Sequence, residues 1–151
     1  MRRHLILALT VAAPALADSF TTAGAGLQIQ NVPLFNPGGA VHTLGGVPQA
    51  VGGTADHVHM LVGLRATHCL ADVLREIKRP SSQWVHETLG VAEFAWQEGY
   101  GAFTVSESNV EQVRCYIANQ REHHRHKTFQ EEFVEFLKVY GVPYDERYIW
   151  D

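Results

Sequence analysis

The feature that most constrains the fold is the eight-residue segment 57–64, His-Val-His-Met-Leu-Val-Gly-Leu, in which apolar residues occupy every second position. Successive side chains of a β-strand point to opposite faces of its sheet. As a strand, this segment therefore places two valines, a methionine and a leucine on one face. It places His57 and His59 side by side on the other. The segment thus requires a sheet with one apolar face and one face that presents two imidazoles.

The surrounding patterns predict further strands and helices. Residues 47–51 form a second strand candidate, and the following Gly52-Gly53 pair predicts a turn that joins both strands as a hairpin. Helical spacing predicts three helices. The first is capped by Thr67 and interrupted at Pro80. The second begins with a Ser108–Glu111 capping box and runs to about Arg125, and the third begins with a Thr128–Glu131 capping box. Residues 94–105 are aromatic and β-branched, which predicts a bent strand that pairs with the hairpin.

These elements predict an α+β fold, an antiparallel ferredoxin-like or RRM-like sheet with helices on one face. With 151 residues, the chain has room for one catalytic domain. Cys69 and Cys115 belong to no Cys-x-x-Cys pair, and each falls in a helical pattern. We expect two reduced, buried thiols and no disulfide framework.

Charge limits the ways in which this chain can bind nucleic acid. The net charge of -4 excludes a protein that coats duplex DNA through a basic face. Any DNA must be held locally. The candidate contacts are Lys78 and Arg79, together with Arg121 and Arg125 of the histidine-rich run 121–127.

The N-terminus carries a different signal. Arg2 and Arg3 precede an apolar stretch from residue 5 to residue 17, and Ala15-Leu16-Ala17 resembles a signal-peptidase site. The stretch is too short to span a bilayer as a helix. Residues 19–43 are rich in glycine and proline, which predicts a loop or linker. We therefore divide the chain into an atypical, signal-like N-terminus at 1–43 and a domain at 44–151.

His57 and His59 are compatible with several functions. Two imidazoles on one strand face can hold a single cation, but a third ligand must come from elsewhere in the chain. A histidine-triad hydrolase also carries His-x-His on a strand, yet its third histidine would stand where this chain has Leu61. Ordinary surface or hydrogen-bonded histidines are the simplest alternative.

Five blocks of the chain resemble one family in the same order. They are GGTADHVHMLV (52–62), IKRPSSQW (77–84), FAWQEGYGAFTVS (94–106), VRCYIANQREHH (113–124) and YDERYIW (144–150). They resemble the single-tyrosine HUH transposases of small insertion sequences and the REP-associated tyrosine transposases. The resemblance implies that His57, His59 and Gln120 bind Mg²⁺ or Mn²⁺, and that Tyr116 is the nucleophile that cleaves single-stranded DNA through a 5′-phosphotyrosine.

The resemblance also implies a hairpin DNA partner and a homodimer in which Tyr116 and Gln120 can serve the histidines of the partner. It implies a cytoplasmic, nucleoid-associated protein with no membrane segment, so the signal-like residues 1–18 are discounted. The family, however, begins with a strand and a helix that are missing or replaced here, which would leave 57–64 as a sheet edge. Two rival functions follow: a DNA-binding remnant without activity, and a secreted metal-binding protein.

Overall fold

The computed structural model describes residues 5–12, 37–54 and 56–149. Its strands are β1 (Leu5–Ala12), β2 (Val47–Gly53), β3 (His57–Leu64) and β4 (Gly101–Thr104). Its α-helices are α1 (Pro37–Thr43), α2 (Leu70–Trp84), α3 (Val110–Ala118), α4 (Gln120–His123) and α5 (Phe129–Val139). A π-helical turn, Val85–Leu89, follows α2, and a 3-10 turn, Glu107–Asn109, precedes α3.

The four strands form one sheet in the order β2-β3-β1-β4, with antiparallel pairing throughout the described residues. The α+β fold with an antiparallel sheet is therefore confirmed. The hairpin of β2 and β3 is also present, although its turn begins after Gly53, so both glycines belong to β2.

We predicted that the N-terminal strand is missing or replaced, but residues 5–12 form a strand in the sheet, β1. It pairs with β3 along its whole length and with β4 on its other side, so that β3 is an internal strand and not an edge. The apolar stretch resembled a signal sequence because a strand covered on both faces is continuously apolar.

One face of the sheet packs against α1 and α2. The buried residues that form this core are Leu7, Leu9, Val41, Val58, Met60, Val62, Leu64, Val73, Leu74, Ile77, Val85 and Phe94. They include every apolar residue that the alternation of 57–64 assigned to the core face. Burial of this apolar surface is the main stabilising contribution to such a fold.

The histidine face of the sheet is also covered, by α3 and α5. The Tyr116 ring of α3 meets His59 edge-on, and the Phe129 ring of α5 stacks on His57 with a centroid distance of 4.5 Å. All eight residues of β3 are buried as a result. The prediction that helices lie on one face of the sheet is wrong in this respect, because a strand with polar residues on one face suggested that the face was open to solvent.

Several local boundaries differ from those predicted. The helix expected after Thr67 has Cys69 at its N-cap and continues through Pro80 without a break. The Ser108–Glu111 capping box does not form, because a 3-10 turn occupies this position. The helix opened there is also not continuous to Arg125, since it ends at Ala118 and α4 begins at Gln120.

At the C-terminal side, the Thr128–Glu131 capping box is confirmed: the Thr128 hydroxyl accepts from the Glu131 amide and the Glu131 carboxylate accepts from the Thr128 amide. Gly141 follows α5 with a left-handed φ of 63°, a conformation that glycine adopts at low cost. The strand predicted at 94–105 is limited to Gly101–Thr104, and it pairs with β1 instead of the hairpin because β1 lies between them.

Both cysteines are exposed, which corrects the prediction of buried thiols. Cys69 lies before the first turn of α2, and Cys115 lies in α3. Among the described residues, no helix is both long and apolar enough to cross a lipid bilayer.

Candidate active site

The two histidines of β3 are each held by a hydrogen bond at Nδ1. His57 Nδ1 lies 2.7 Å from Asp56 Oδ1 and 3.0 Å from Thr54 Oγ1, in the turn of the hairpin. His59 Nδ1 lies 2.8 Å from Oγ1 of Thr10, the residue of β1 that is its partner in the sheet. With Nδ1 engaged in both rings, the two Nε2 atoms face α3 and α5. Hydrogen bonds of this kind fix the orientation of metal-binding imidazoles.

Helix α3 brings Tyr116 to the histidines, and Gln120 follows at the start of α4. The Tyr116 hydroxyl lies 3.4 Å from His59 Nε2, and Gln120 Oε1 lies 3.2 Å from His57 Nε2. Gln120 is only 2% exposed although its side chain is polar. The four residues that the family resemblance singled out therefore meet within a single chain.

Glycine at position 52 allows α3 to approach the sheet this closely. A Cβ atom at Gly52 would lie 2.4 Å from the carbonyl oxygen of Ile117 in α3. Gly52 is also the partner of His59 in the pairing of β2 with β3. The backbone contact between Gly52 and Ile117 thus fixes the position of α3 beside the imidazole of His59.

Two residues at the site were not assigned a role there by the sequence analysis. Glu132, in α5, is 2% exposed, and its Oε2 lies 3.3 Å from His59 Nε2. His124, which follows α4, places its Nε2 2.9 Å from Gln120 Oε1 and 3.6 Å from Glu132 Oε2. Glu132 belongs to no recognisable motif, and His124 was considered only as part of a basic run. Both residues join the site because α5 packs on the sheet and brings Glu132 against His59 and His124.

Burial and mutual contacts shift the pKa values of these groups. Burial lowers the pKa of His59 to about 4, against the opposing effect of the Glu132 carboxylate, so the ring is neutral near pH 7. Burial raises the pKa of Glu132, but hydrogen bonds with His59 and Tyr116 outweigh it and lower the pKa to about 2. Burial and the Glu132 carboxylate raise the pKa of Tyr116 well above its ordinary value, which keeps the phenol protonated.

The donor atoms at this site fit a divalent metal ion. His57, His59, His124 and Glu132 each offer one ligand atom, and these atoms lie within 4.8 Å of one another. Imidazole nitrogens and carboxylate oxygens are the usual ligands of divalent metals in proteins. A neutral imidazole, such as that of His59, is the form that binds metal.

The predicted DNA contacts lie in other parts of the fold. Lys78 donates to the main-chain carbonyls of residues 97, 98 and 99 at 2.7, 3.1 and 3.2 Å, so this ammonium group holds the loop before β4. Arg79 is exposed, and both residues line an open groove of about 580 Å³ between α2 and that loop. Arg121 lies in α4, and Arg125 pairs with Glu122 at 3.0 Å.

Sequence and structure comparisons identify relatives of this chain. Residues 47–120 match the family described as "Transposase IS200 like". A solved REP-associated tyrosine transposase bound to a REP hairpin is 15% identical, with a TM-score of 0.58 over 81% of this chain and 69% of that one. A protein from Deinococcus radiodurans R1 that is assigned as a transposase is 21% identical, with a TM-score of 0.48 over 78% of this chain and 91% of that one. No curated protein sequence matches the chain.

The matched segment begins at β2 and ends at Gln120, so it contains both histidines of β3 and Tyr116. The REP-associated transposase also shares the antiparallel α+β fold, in which these elements come together. Over residues 47–120, the chain is similar to the IS200-like transposase family.

Proposed function

We propose that this chain is a transposase that cleaves and rejoins single-stranded DNA with Tyr116 as the nucleophile. The observation that carries the proposal is the distance of 3.4 Å between the Tyr116 hydroxyl and His59 Nε2, with Gln120 against His57 in the same chain. A nucleophile beside a compact group of metal ligands is the arrangement that phosphodiester transfer requires.

The proposed reaction exchanges one phosphoester bond for another. The Tyr116 oxygen attacks the phosphorus atom and forms a 5′-phosphotyrosine, while the bond from phosphorus to the 3′ oxygen breaks. The phenolic proton is transferred, in net terms, to the departing 3′ oxygen, which leaves as a hydroxyl group. The energy of the phosphodiester is conserved in the tyrosine ester and is available for rejoining.

His57, His59 and Gln120 would hold a divalent ion, Mg²⁺ or Mn²⁺, at this site. When bound, the ion stabilises the negative charge that develops on the phosphoryl oxygens. The protein contributes by orienting the ligands: Asp56 fixes the ring of His57 and Thr10 fixes the ring of His59. The covering helices α3 and α5 limit the access of water to the buried imidazoles.

The proposed partner is single-stranded or hairpin DNA. The REP-associated transposase of the same fold is bound to a REP hairpin, and we propose the same class of ligand for this chain. Lys78, Arg79, Arg121 and Arg125 are the proposed phosphate contacts, of which Lys78 already holds three carbonyls. We further propose a homodimer and a cytoplasmic, nucleoid-associated location, which are the expected setting for an enzyme that acts on chromosomal DNA.

The test is an adduct assay with an end-labelled hairpin oligonucleotide that carries a single-stranded flank. Wild-type protein with Mn²⁺ or Mg²⁺ should form a covalent protein–DNA complex that survives denaturing electrophoresis, and EDTA should abolish it. Tyr116→Phe should fold and bind the same DNA without an adduct, because the ring is kept and only the hydroxyl is lost. Binding by the wild-type protein without cleavage in every condition would favour a DNA-binding protein that has lost the reaction. An undiminished adduct with Tyr116→Phe would assign the nucleophile to another residue.

A further inference from the structure

Two ligand-type side chains beside the proposed site have no role in the function described above. We infer that His124 and Glu132 bind the same metal ion as His57 and His59, so that three imidazoles and one carboxylate join Gln120 at the site. Such a site selects a transition-metal ion, Zn²⁺, Co²⁺ or Mn²⁺, over Mg²⁺. The inference deepens the proposed function and rests on it, because it concerns the ion at that same site.

The orientation of the three histidine rings supports a common ligand. His124 Nδ1 lies 2.7 Å from the carbonyl oxygen of Lys127, just as Asp56 engages Nδ1 of His57 and Thr10 engages Nδ1 of His59. All three rings therefore have a partner at Nδ1, and their Nε2 atoms contact Gln120, Tyr116 or Glu132 at the site. Metal-binding histidines usually carry such a partner on the nitrogen that does not bind the ion.

The distances place His124 inside the group. Gln120 Oε1 lies 3.2 Å from His57 Nε2 and 2.9 Å from His124 Nε2, so one amide oxygen contacts both imidazoles. The rings of His57 and His124 meet edge-on with centroids 4.6 Å apart. With Glu132 and His59 included, the ligand atoms lie within 4.8 Å of one another. Ligand atoms bound to one cation at about 2.1 Å lie at most about 4.2 Å apart, so this spacing is close to that of a metal site.

The carboxylate of Glu132 gives an independent reason for a cation at this point. It is 2% exposed and lies against His59, His123 and His124. A buried carboxylate is costly unless it is paired, fully hydrogen-bonded or bound to a metal. A divalent ion would supply the missing positive charge.

The chemistry of the ligands determines which ions are preferred. Mg²⁺ favours six oxygen ligands in octahedral geometry and keeps several of its waters. Imidazole-rich sites bind Zn²⁺ and related ions better, and affinity for a given site rises from Mn²⁺ through Co²⁺. We therefore expect affinity to increase from Mg²⁺ to Mn²⁺ to Co²⁺, with Zn²⁺ also bound more tightly than Mg²⁺.

The test uses the metal-free full chain without DNA, so its result does not depend on cleavage. In calorimetric titrations with Co²⁺ and Mn²⁺, His124→Ala should lower affinity by at least about tenfold. His123→Ala is the matched control, since His123 is adjacent and also contacts Glu132 but lies outside the ligand group. It should leave affinity within about twofold. Equal affinities of His124→Ala and the wild type, or Mg²⁺ binding as tight as Mn²⁺ binding, would overturn the inference.

A second measurement avoids variants that could fail to fold. In the Co²⁺-loaded wild-type protein, each imidazole bound through Nε2 should give one paramagnetically shifted Nδ1–H proton resonance. Three such signals are expected. Two signals, from His57 and His59 alone, would remove His124 from the site whether or not the protein cleaves DNA. Glu132→Gln, which preserves the shape of the side chain, should weaken Co²⁺ binding because it removes the anionic ligand.

Discussion

Replacing Gly52 by alanine tests whether the contact between β2 and α3 sets the geometry of the site. The new Cβ would lie 2.4 Å from the carbonyl oxygen of Ile117 and 2.9 Å from Cγ2 of the same residue. Ordinary van der Waals contacts of a Cβ begin at 3.4 Å. Because the closer atom belongs to the main chain, side-chain rotation cannot relieve the overlap. We expect α3 to move away from the sheet by about 1 Å, at a cost of about 1–3 kcal/mol in unfolding free energy.

That displacement should be large compared with the tolerance of the site. Tyr116 and Gln120 make contacts of 3.4 and 3.2 Å with the histidines, and both would lengthen as the helix moves. A displacement of about 1 Å can reduce the rate of a reaction by about 100-fold. The rate of adduct formation and the affinity for Co²⁺ should both fall in the Gly52→Ala variant, while circular dichroism should show a folded protein.

Gly46→Ala is the matched control for this prediction. An added Cβ there would lie 2.8 Å from Val41 Cγ1 and 3.1 Å from Leu64 Cδ2, which places the overlap in the core on the other face of the sheet. It should lower stability by less, because the two nearest atoms belong to side chains that can move, and it should not change the rate of the folded fraction. The reasoning is refuted if Gly52→Ala loses stability but forms the adduct at the wild-type rate, or if both variants lose activity equally.

Two further predictions concern the ligands of β3. Thr10→Val keeps the shape of the side chain but removes the hydroxyl from His59 Nδ1, so Co²⁺ affinity should fall by about 10- to 100-fold; Thr10→Ser should retain it, and unchanged affinity in the valine variant would exclude a positioning role. In EDTA, the free energy of unfolding should decrease from pH 6.5 to pH 4 by at most about 3 kcal/mol. The unfolded state protonates His59 near its ordinary pKa, whereas burial in the folded state lowers the pKa of His59 to about 4. Urea denaturation across this range measures the change, and a decrease of the same size in His59→Gln would assign it to other groups.

The sequence predicted the histidine strand residue by residue, because strict alternation of apolar residues assigns each side chain of 57–64 to one face of the sheet. It also predicted the Thr128 cap, for which the side-chain pattern is local and specific. By contrast, β1 was misinterpreted, since an apolar run without alternation is common to signal sequences and to strands buried on both faces. Nothing in the local sequence distinguishes these two cases.

The site residues also divide into those that the local sequence predicts and those that only the folded structure brings to the site. His57, His59, Tyr116 and Gln120 stand in motifs that resemble a family, so the amino-acid sequence alone is enough to name them. Glu132 reaches the site only because α5 packs across the histidine face, and Thr10 only because β1 inserts beside β3. Both are long-range consequences of topology. Residue type and spacing carry no information on such contacts until the order of the strands is known.

The central position of β1 in the sheet also affects how the chain can fold during translation. β1 leaves the ribosome before both of its neighbours in the sheet, which begin at residues 57 and 101. At about 5–20 residues per second, translation needs about 2 to 9 s to pass from the end of β1 to the start of β3. During that interval the nascent chain presents an unpaired, apolar strand with no partner in the sheet. An apolar segment of this kind is a binding site for chaperones and a risk for aggregation. A ribosome that stalls before His57 would prolong that state, since the hairpin that receives β1 would not yet exist.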